Sequence, residues 1–450
     1  MRVAQLTSRP VDERLQYDSV RRLAGPLVAF VLLAAAVPAG AAAPRRAPRP
    51  LDLVWHVETA DGAEIASQQG DAPINPASVV KVATSLWALE RLGAEFRYET
   101  RVFARGAVDP GSGVLDGDLV VHGSGDPDFG AGNAMLLGEA LARLGVRRVT
   151  GRLLVNPTFW IGSEDGSNGT LADAQARGVR MASRLRQALD PQRWGRLQRS
   201  AWHEVAQARG FDPARPPRVA VIGGVGVDSE REGELLLVHR SGPLADTLRR
   251  FNCYSNNDIE RIGSALGPVE ELAGLIRVRC DAPREAVQFA TTSGLGTNRL
   301  TPRLVVRLLR EFRATAARAG LPVDSLLPVA GCDPGTVTGF FPTLAGGPGA
   351  GAVIGKTGTL TATDGGVSVL AGYASTADGE LVFCVVVPQA GGRLRRARRA
   401  EEQWILDLLA AHGGPRPSTC RAPLVGADRI AEVLVVAPPS GAPPVVVGGN

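Results

Sequence analysis

The chain has 450 residues, of which 44% are apolar and 21% are charged, an ordinary globular composition with room for two or three domains. The net charge of +5 is modest, and the arginines are dispersed except in a run over 393–399 that no aromatic platform accompanies. We therefore interpret this run as the solvated start of a helix and predict no nucleic-acid partner.

The N-terminus has the pattern of an export signal. Arg21 and Arg22 precede an apolar run over 23–37, and an Ala-x-Ala site follows at 39–41. This pattern predicts a signal peptide over 1–43 with cleavage near Ala41, because about fifteen apolar residues are few for a membrane span. An uncleaved anchor is the alternative. Export would permit disulfides among the five cysteines, although an odd count leaves at least one unpaired.

Periodicity and turn residues predict the elements that follow. A hairpin over 51–67 precedes a buried helix that starts at 75–78 and stops at Gly93. A strand-rich stretch over 101–155 and a polar, then helical stretch over 160–215 come next. The remaining predicted elements are strands at 219–222, 234–238, 353–360, 365–374 and 380–387 and helices at 244–251, 304–315 and 399–412. Residues 433–450 have no helical period and are predicted to be extended or disordered.

Only two lysines occur among the 50 basic residues, and these are Lys81 and Lys356. A composition this biased uses arginine wherever a plain positive charge is enough. Arginine is always protonated, whereas a buried lysine can shift its pKa and act as a base. The two lysines therefore indicate positions where a titratable amine is needed.

Lys81 lies three residues after Ser78 on the predicted buried helix, so the two side chains share a face. Ser78 falls in the first turn, where the helix dipole favours negative charge. A serine is a weak nucleophile without an adjacent base, and a desolvated Lys81 can be that base. Taken alone, this pattern also fits an ordinary surface pair.

The second lysine begins a run, Lys356-Thr357-Gly358-Thr359, on a predicted strand. Gly358 has no Cβ and lets a ligand approach the backbone closely. Lys356, Thr357 and Thr359 offer a cation and two hydroxyls to a carboxylate. Taken alone, the run also fits an ordinary edge strand.

Ser255-Asn256-Asn257 follows a short predicted helix and offers a hydroxyl and an amide. Alone this triplet is only a turn, but the order Ser78, Ser255, Lys356 resembles the penicillin-recognising serine enzymes. The stretch from Ser78 to Ser255 is far longer than class A β-lactamases leave, so a domain must be inserted there. The pattern resembles the D-alanyl-D-alanine carboxypeptidase/endopeptidase family, the class C low-molecular-mass penicillin-binding proteins.

Flanking sequences carry the same resemblance over about residues 50–412. The similar blocks are 76–84 with 92–100, the Gly-Ser-Gly-Asp-Pro turn at 123–127, the approach at 241–244, Leu-Pro-Val-Ala-Gly at 327–331 with Gly-Thr at 335–336, and 367–373. The resemblance implies an α/β (α+β) transpeptidase domain of the penicillin-binding-protein/β-lactamase type, with an antiparallel sheet flanked by helices, over 44–105 and 239–414. A strand-rich insertion over 106–238 and a partly disordered tail over 415–450 complete the expected organisation.

The resemblance also implies roles. Ser78 attacks the carbonyl of the penultimate D-Ala of a peptidoglycan stem peptide, and Lys81 takes the hydroxyl proton. Ser255 and Lys356 pass a proton to the leaving D-Ala, and Asn257 holds the substrate amide. The remaining roles are substrate binding by Thr357, Gly358 and Thr359 and an oxyanion hole formed by the backbone N–H groups of Ser78 and Thr359.

An exported DD-peptidase of the cell envelope is therefore expected, which cleaves D-Ala-D-Ala or D-Ala-meso-diaminopimelate bonds and is acylated by β-lactam antibiotics. No metal or cofactor is implied, and membrane contact is expected only through an uncleaved signal or peripherally.

Two stretches depart from the family pattern. Thr291–Leu295 stands where Asp-Gly-Ser-Gly-Leu is usual, and 258–261 lacks the usual Ala-Glu-x-Leu-Leu run. The insertion is also shorter than typical. These departures put substrate preference in question more than chemistry.

Two alternatives remain open. A β-lactamase or esterase on the same fold is one, since 164–168 offers a Glu…Asn spacing, although this stretch precedes Ser255 rather than following it. A non-catalytic wall-binding module is the other, and the intact motifs argue against it.

Overall fold

The computed structural model describes residues 51–163, 173–436 and 446–447. The predicted signal peptide and the 164–168 stretch lie outside the described residues. The strands are β1 Val54–Thr59, β2 Glu64–Gln68, β3 Glu99–Asp109, β4 Val114–Gly123, β5 Arg148–Val149, β6 Leu153–Val155, β7 Ala220–Val221, β8 Val225–Val227, β9 Glu234–Arg240, β10 Val353–Leu360, β11 Val367–Thr376, β12 Gly379–Pro388, β13 Glu432–Val435 and β14 Val446–Val447. The helices are α1 Val80–Leu92, α2 Ala131–Arg143, α3 Ala174–Leu189, α4 Arg196–Arg209, α5 Leu244–Tyr254, α6 Ile259–Leu266, α7 Val269–Arg279, α8 Pro302–Arg318, α9 Thr336–Phe340, α10 Pro342–Gly346, α11 Leu394–Ala411 and α12 Ala427–Ile430.

The first sheet is antiparallel, with five strands in the order β10-β11-β12-β1-β2. Successive side chains of a strand point to opposite faces, so alternate residues of β11 enter two different cores. Val369 and Ala371 pack in a cluster with α1 and α8, whereas Leu370 and Ala374 pack in a cluster with α11. The sheet therefore lies between two helical layers, which confirms the predicted fold class.

Helix α1 is buried around most of its circumference. Ten of its 13 residues are buried, including Lys81 and Trp87, and Gly93 ends the helix in a conformation with φ of 84°. A helix that is apolar on nearly every side gains stability from packing rather than from an amphipathic stripe. The turn that precedes α1 and carries Ser78 is thereby held in a fixed place beside β10.

The second sheet has nine strands and mixed direction. The path runs β14-β13-β9-β3-β4-β5-β7, and β6 pairs in parallel with β4 and β8. Helices α2, α3 and α4 cover this sheet with residues such as Met135, Leu185 and Trp202. Helices α3 and α4 fall in the stretch over 160–215 that was predicted to become helical, whereas α2 lies in the stretch predicted to be strand-rich. In addition, β3 starts at Glu99, ahead of the predicted boundary at 106.

Residues 415–436 differ from the predicted tail. Strand β13 pairs with β9, and Val433 and Val435 are buried in the second core. The alternation of buried residues spans only four positions among Pro, Gly and Ala, which is too short to stand out from sequence. Cys332 and Cys420 form a disulfide that ties this segment to the turn before α9.

Candidate active site

Ser78 lies in a 3-10 turn, Ala77–Val79, that leads into α1. Ala77 has φ of 47°, and its backbone N–H donates to Asn75 Oδ1 at 3.0 Å. The left-handed residue keeps the predicted helix start from being α-helical, so α1 begins at Val80, two residues after Ser78. Ser78 is half-buried.

Lys81 is fully buried and contacts three acceptors with its Nζ. It donates to Ser78 Oγ at 2.9 Å, to Asn257 Oδ1 at 2.9 Å and to the Ser293 carbonyl at 2.6 Å. An ammonium has three N–H donors, and these acceptors use all of them. When Lys81 is neutral, its lone pair can take the Ser78 proton while two N–H groups stay bonded to the other acceptors. This is the geometry of a serine with an adjacent general base.

The electrostatic setting favours the neutral form of Lys81. Burial lowers the pKa of Lys81 well below its usual value, nearby Lys356 lowers it further, and Glu260 acts in the opposite direction. Desolvation dominates because an ammonium in a dry interior loses its hydration.

A similar pair is formed by Lys356 and Ser255. Lys356 Nζ donates to Ser255 Oγ at 2.9 Å and to the Thr357 carbonyl at 2.8 Å. Ser255 ends α5 in a left-handed conformation with φ of 54°, and this conformation turns it out of the helix. Burial lowers the pKa of Lys356 to about 7. Lys356 can therefore both hold and release a proton near neutral pH.

Strand β10 brings the second lysine against the Ser78 turn. A Cβ at Gly358 would lie 2.5 Å from the Pro76 carbonyl oxygen, so only glycine permits this approach. Thr357 Oγ1 donates to Thr336 Oγ1 at 2.7 Å, and Thr359 is half-buried at the same edge of the sheet. These contacts link Ser78, Lys81 and Asn257 in one group and Ser255 with Lys356 in a second, and Gly358 brings the strand of the second group against the turn of the first.

Glu260 was not identified as a site residue from sequence. Its carboxylate accepts the backbone N–H groups of Thr292 at 3.3 Å and Ser293 at 2.8 Å, which aims the Ser293 carbonyl at Lys81. Gly294 has φ of 86°, and a Cβ there would lie 2.0 Å from the Ala77 carbonyl oxygen. The signal was an acidic residue three positions after Asn257, between Ile259 and Arg261 at the start of α6. The two stretches that depart from the family pattern, 258–261 and 291–295, are in contact here. Together they hold the Ser293 carbonyl that accepts a hydrogen bond from Lys81.

Arg398 was also missed, because it belongs to the run interpreted as solvated. Its Nη2 donates to Thr359 Oγ1 at 3.3 Å, and its guanidinium lies 3.4 Å from the centre of the Phe340 ring. A sequence pattern cannot show which arginine of the run faces the sheet.

Among residues 51–163 and 173–436, no three His, Cys, Asp or Glu side chains form a group able to hold a metal ion. In the same described ranges, no helix combines the length and the apolar character that a membrane crossing needs.

Comparisons with known proteins identify the family. The model of the D-Ala-D-Ala carboxypeptidase 3 (S13) family matches residues 53–177 and 219–408. The carboxypeptidase Rv3627c of Mycobacterium tuberculosis is 28% identical over 372 residues, which cover 75% of this chain and 76% of that protein.

Two solved structures share the fold. The penicillin G acylated endopeptidase Bd3459 of Bdellovibrio bacteriovorus has a TM-score of 0.68 at 21% identity, covering 84% of this chain and 98% of that chain. Penicillin binding protein 4 of Haemophilus influenzae has a TM-score of 0.58 at 20% identity, covering 80% of this chain and 97% of that chain.

Proposed function

The chain belongs to the D-Ala-D-Ala carboxypeptidase 3 (S13) family of serine peptidases, and we propose that it hydrolyses the terminal D-Ala-D-Ala bond of peptidoglycan stem peptides through an acyl-enzyme on Ser78. The observation that carries the proposal is the 2.9 Å contact between Ser78 Oγ and the fully buried Lys81 Nζ. A buried amine with a lowered pKa is the base that a serine nucleophile needs.

In the first step, neutral Lys81 takes the hydroxyl proton as Ser78 Oγ attacks the carbonyl carbon of the penultimate D-Ala. The carbonyl oxygen becomes negatively charged in the tetrahedral intermediate. The backbone N–H groups of Ser78 and Thr359 are the proposed donors to this oxygen. Gly358 supports that assignment because it lets β10 lie against the Ser78 turn. Losing one such donor typically costs about 3–4 kcal/mol of barrier.

In the second step, the C–N bond breaks and the leaving D-Ala nitrogen takes a proton from Ser255, which Lys356 resupplies. The 2.9 Å contact between these two side chains supports the relay. Asn257 holds the substrate amide, and the Thr357 and Thr359 hydroxyls bind the terminal carboxylate. Water then attacks the ester, its proton passes through Ser255 back to Lys356, and protonated Lys81 returns its proton to the Ser78 oxygen as the ester bond breaks.

The same chemistry applies to D-Ala-meso-diaminopimelate cross-links, and a neighbour that shares the fold is an endopeptidase. Penicillin G acylates that neighbour, and we extend covalent acylation by β-lactams to Ser78 of this chain. Substrate and inhibitor both occur outside the cytoplasm, in keeping with the predicted export. The β-lactamase alternative differs only in how fast the penicilloyl ester is hydrolysed.

The test is the intact mass of the purified protein over time with penicillin, for the wild type, Ser78→Ala and Ser85→Ala. Ser85 is a matched control, because it is a buried serine of α1 whose hydroxyl accepts from Asn252 Nδ2 at 3.1 Å. A stable adduct on the wild type and Ser85→Ala, with none on Ser78→Ala, is expected. Peptide hydrolysis should fall by about 10⁶ in Ser78→Ala, as for other serine nucleophiles.

A penicillin adduct on Ser78→Ala would refute the assignment of Ser78 as the nucleophile. An adduct that disappears quickly with loss of penicillin would indicate a β-lactamase. A wild type that is neither acylated nor active on a D-Ala-D-Ala peptide would overturn the proposal.

A further inference from the structure

Arg398 contacts strand β10, which the exposed arginines of its run do not reach. Arg395, Arg396 and Arg399 are exposed, whereas Arg393 and Arg398 are half-buried, and Arg393 donates to the Gln389 carbonyl. Its guanidinium is stacked on Phe340 at 3.4 Å from the ring centre and donates to Thr359 Oγ1. Stacking on an aromatic face restricts a long side chain to one orientation. The arginine is therefore fixed beside the residue proposed to bind the substrate carboxylate.

Helix α11 holds this position through a second contact. Ser368 lies opposite Thr359 in the β10–β11 register, so the two side chains point to the same face of the sheet. Ser368 Oγ donates to Glu401 Oε2 at 2.7 Å, and Glu401 is fully buried. Glu401 and Arg398 are three residues apart and share one face of α11. The helix thus meets both members of a single cross-strand pair.

The charges of these two helix residues do not cancel. Burial raises the pKa of Glu401 to about 8, so this carboxyl group is mostly neutral at pH 7. Arg398 stays charged at every working pH.

The hydrogen bond also determines what Thr359 can do. A hydroxyl has one donor and two acceptor sites, and the Thr359 oxygen accepts from Arg398. Its own proton must therefore point away from the guanidinium. A hydroxyl oriented in this way donates to an anion in the cleft, and the adjacent positive charge strengthens that bond.

We propose that Arg398 is a positioning residue that orients the Thr359 hydroxyl towards a free carboxylate and thereby selects substrates that carry one at the leaving group. The inference rests on the proposed function and deepens it. It assigns the preference for a substrate carboxylate to one arginine of α11. This arginine lies outside the motifs that contain Ser78, Ser255 and Lys356.

The experiment uses two thioester substrates that share an N-acyl-D-Ala acyl part. In one the leaving thiol carries a carboxylate, and in the other it carries a neutral carboxamide. Thioesters are reactive enough for both rates to be measured. The proteins are the wild type, Arg398→Ala, Arg398→Lys and the matched control Arg396→Ala.

Arg398→Ala should lower kcat/KM for the carboxylate substrate by about 10- to 100-fold, the range for losing a hydrogen bond to a charged group. The carboxamide rate should change less than threefold. Arg398→Lys should recover part of the carboxylate preference, since it keeps the charge without the planar fork. Arg396→Ala should match the wild type on both substrates.

Equal losses on both substrates in Arg398→Ala would assign the residue a merely structural role and overturn the inference. Unchanged rates, or a wild type with no carboxylate preference, would overturn it as well. A wild type that turns over neither thioester and is not acylated by penicillin would instead reject the proposed function, and this inference would fall with it.

Discussion

The two buried lysines lie in two regions that are alike in geometry and different in surroundings. Each Nζ lies 2.9 Å from a serine Oγ, and each side chain is fully buried. Lys81 projects from a helix towards two further acceptors beside Glu260, whereas Lys356 projects from an edge strand and has one further acceptor, a neighbouring backbone carbonyl. Burial lowers the pKa of both lysines. The serine beside each lysine determines which proton it can exchange: that of Ser78 for Lys81 and that of Ser255 for Lys356.

The largest effect is expected for Lys81→Arg, which tests whether Lys81 is the base. The charge is kept, but a guanidinium cannot give up its proton, so the base is lost. We expect the rate of acylation by penicillin to fall by roughly 10²- to 10⁴-fold, the usual contribution of a general base. The measurement is the growth of the adduct mass with time. An acylation rate within tenfold of the wild-type rate would show that Lys81 is not the general base.

The spacing between the two regions depends on Gly358. In Gly358→Ala, the new Cβ would lie 2.5 Å from the Pro76 carbonyl oxygen, so β10 or the Ser78 turn must shift. A misplacement of about 1 Å can cost roughly 100-fold in rate. Gly339→Ala is the control, because a Cβ there meets nothing within 4 Å. Equal acylation rates in the two variants would show that the contact does not matter.

Glu260→Gln tests the effect of the carboxylate that lies near Lys81. Glu260 raises the pKa of Lys81, so removing its charge should lower that pKa further. Acylation needs neutral Lys81, and the acid limb of the kcat/KM profile should therefore move to lower pH. The maximum rate should fall about tenfold, because an amide N–H₂ would face one of the two backbone N–H donors. A limb that moves to higher pH would contradict the assignment.

The last prediction concerns stability rather than rate. The pKa of Lys356 is about 7 in the folded chain and near its ordinary value of 10.5 when unfolded. Between these values the unfolded chain binds the extra proton, so this group makes the free energy of unfolding rise with pH by up to about 1.4 kcal/mol per unit. Lys356→Met should lack this contribution. Denaturant titrations of both proteins from pH 7 to 10 measure the difference, and parallel slopes would argue against a buried, titrating Lys356.

Sequence alone could indicate Ser78, Lys81, Ser255 and Lys356 because their motifs are local and carry unusual residue types. The antiparallel sheet and the family were likewise predictable, and both are confirmed. Glu260 could not be assigned, since its role depends on α6 packing against a loop some thirty residues later, a tertiary contact that propensity does not encode.

Helix α2 and strand β13 were not predicted from the sequence for a different reason. Gly132 and Gly138 weaken the helical pattern of α2, yet burial of Met135 and Leu137 overrides that weakness. Strand β13 has only four residues, and its partner β9 lies far back in the chain. In both cases packing decided what local preference left open.

Strand β13 has a consequence for the order of folding. Glu432 lies opposite Arg240, so one side of β9 has no strand neighbour until residues 432–435 have left the ribosome. An unpaired strand edge is a template for association with other chains. The second sheet is therefore completed late in synthesis, when β13 pairs with β9. A truncation before Glu432 would leave that side of β9 unpaired, so residues 432–435 are part of the sheet and not a dispensable extension.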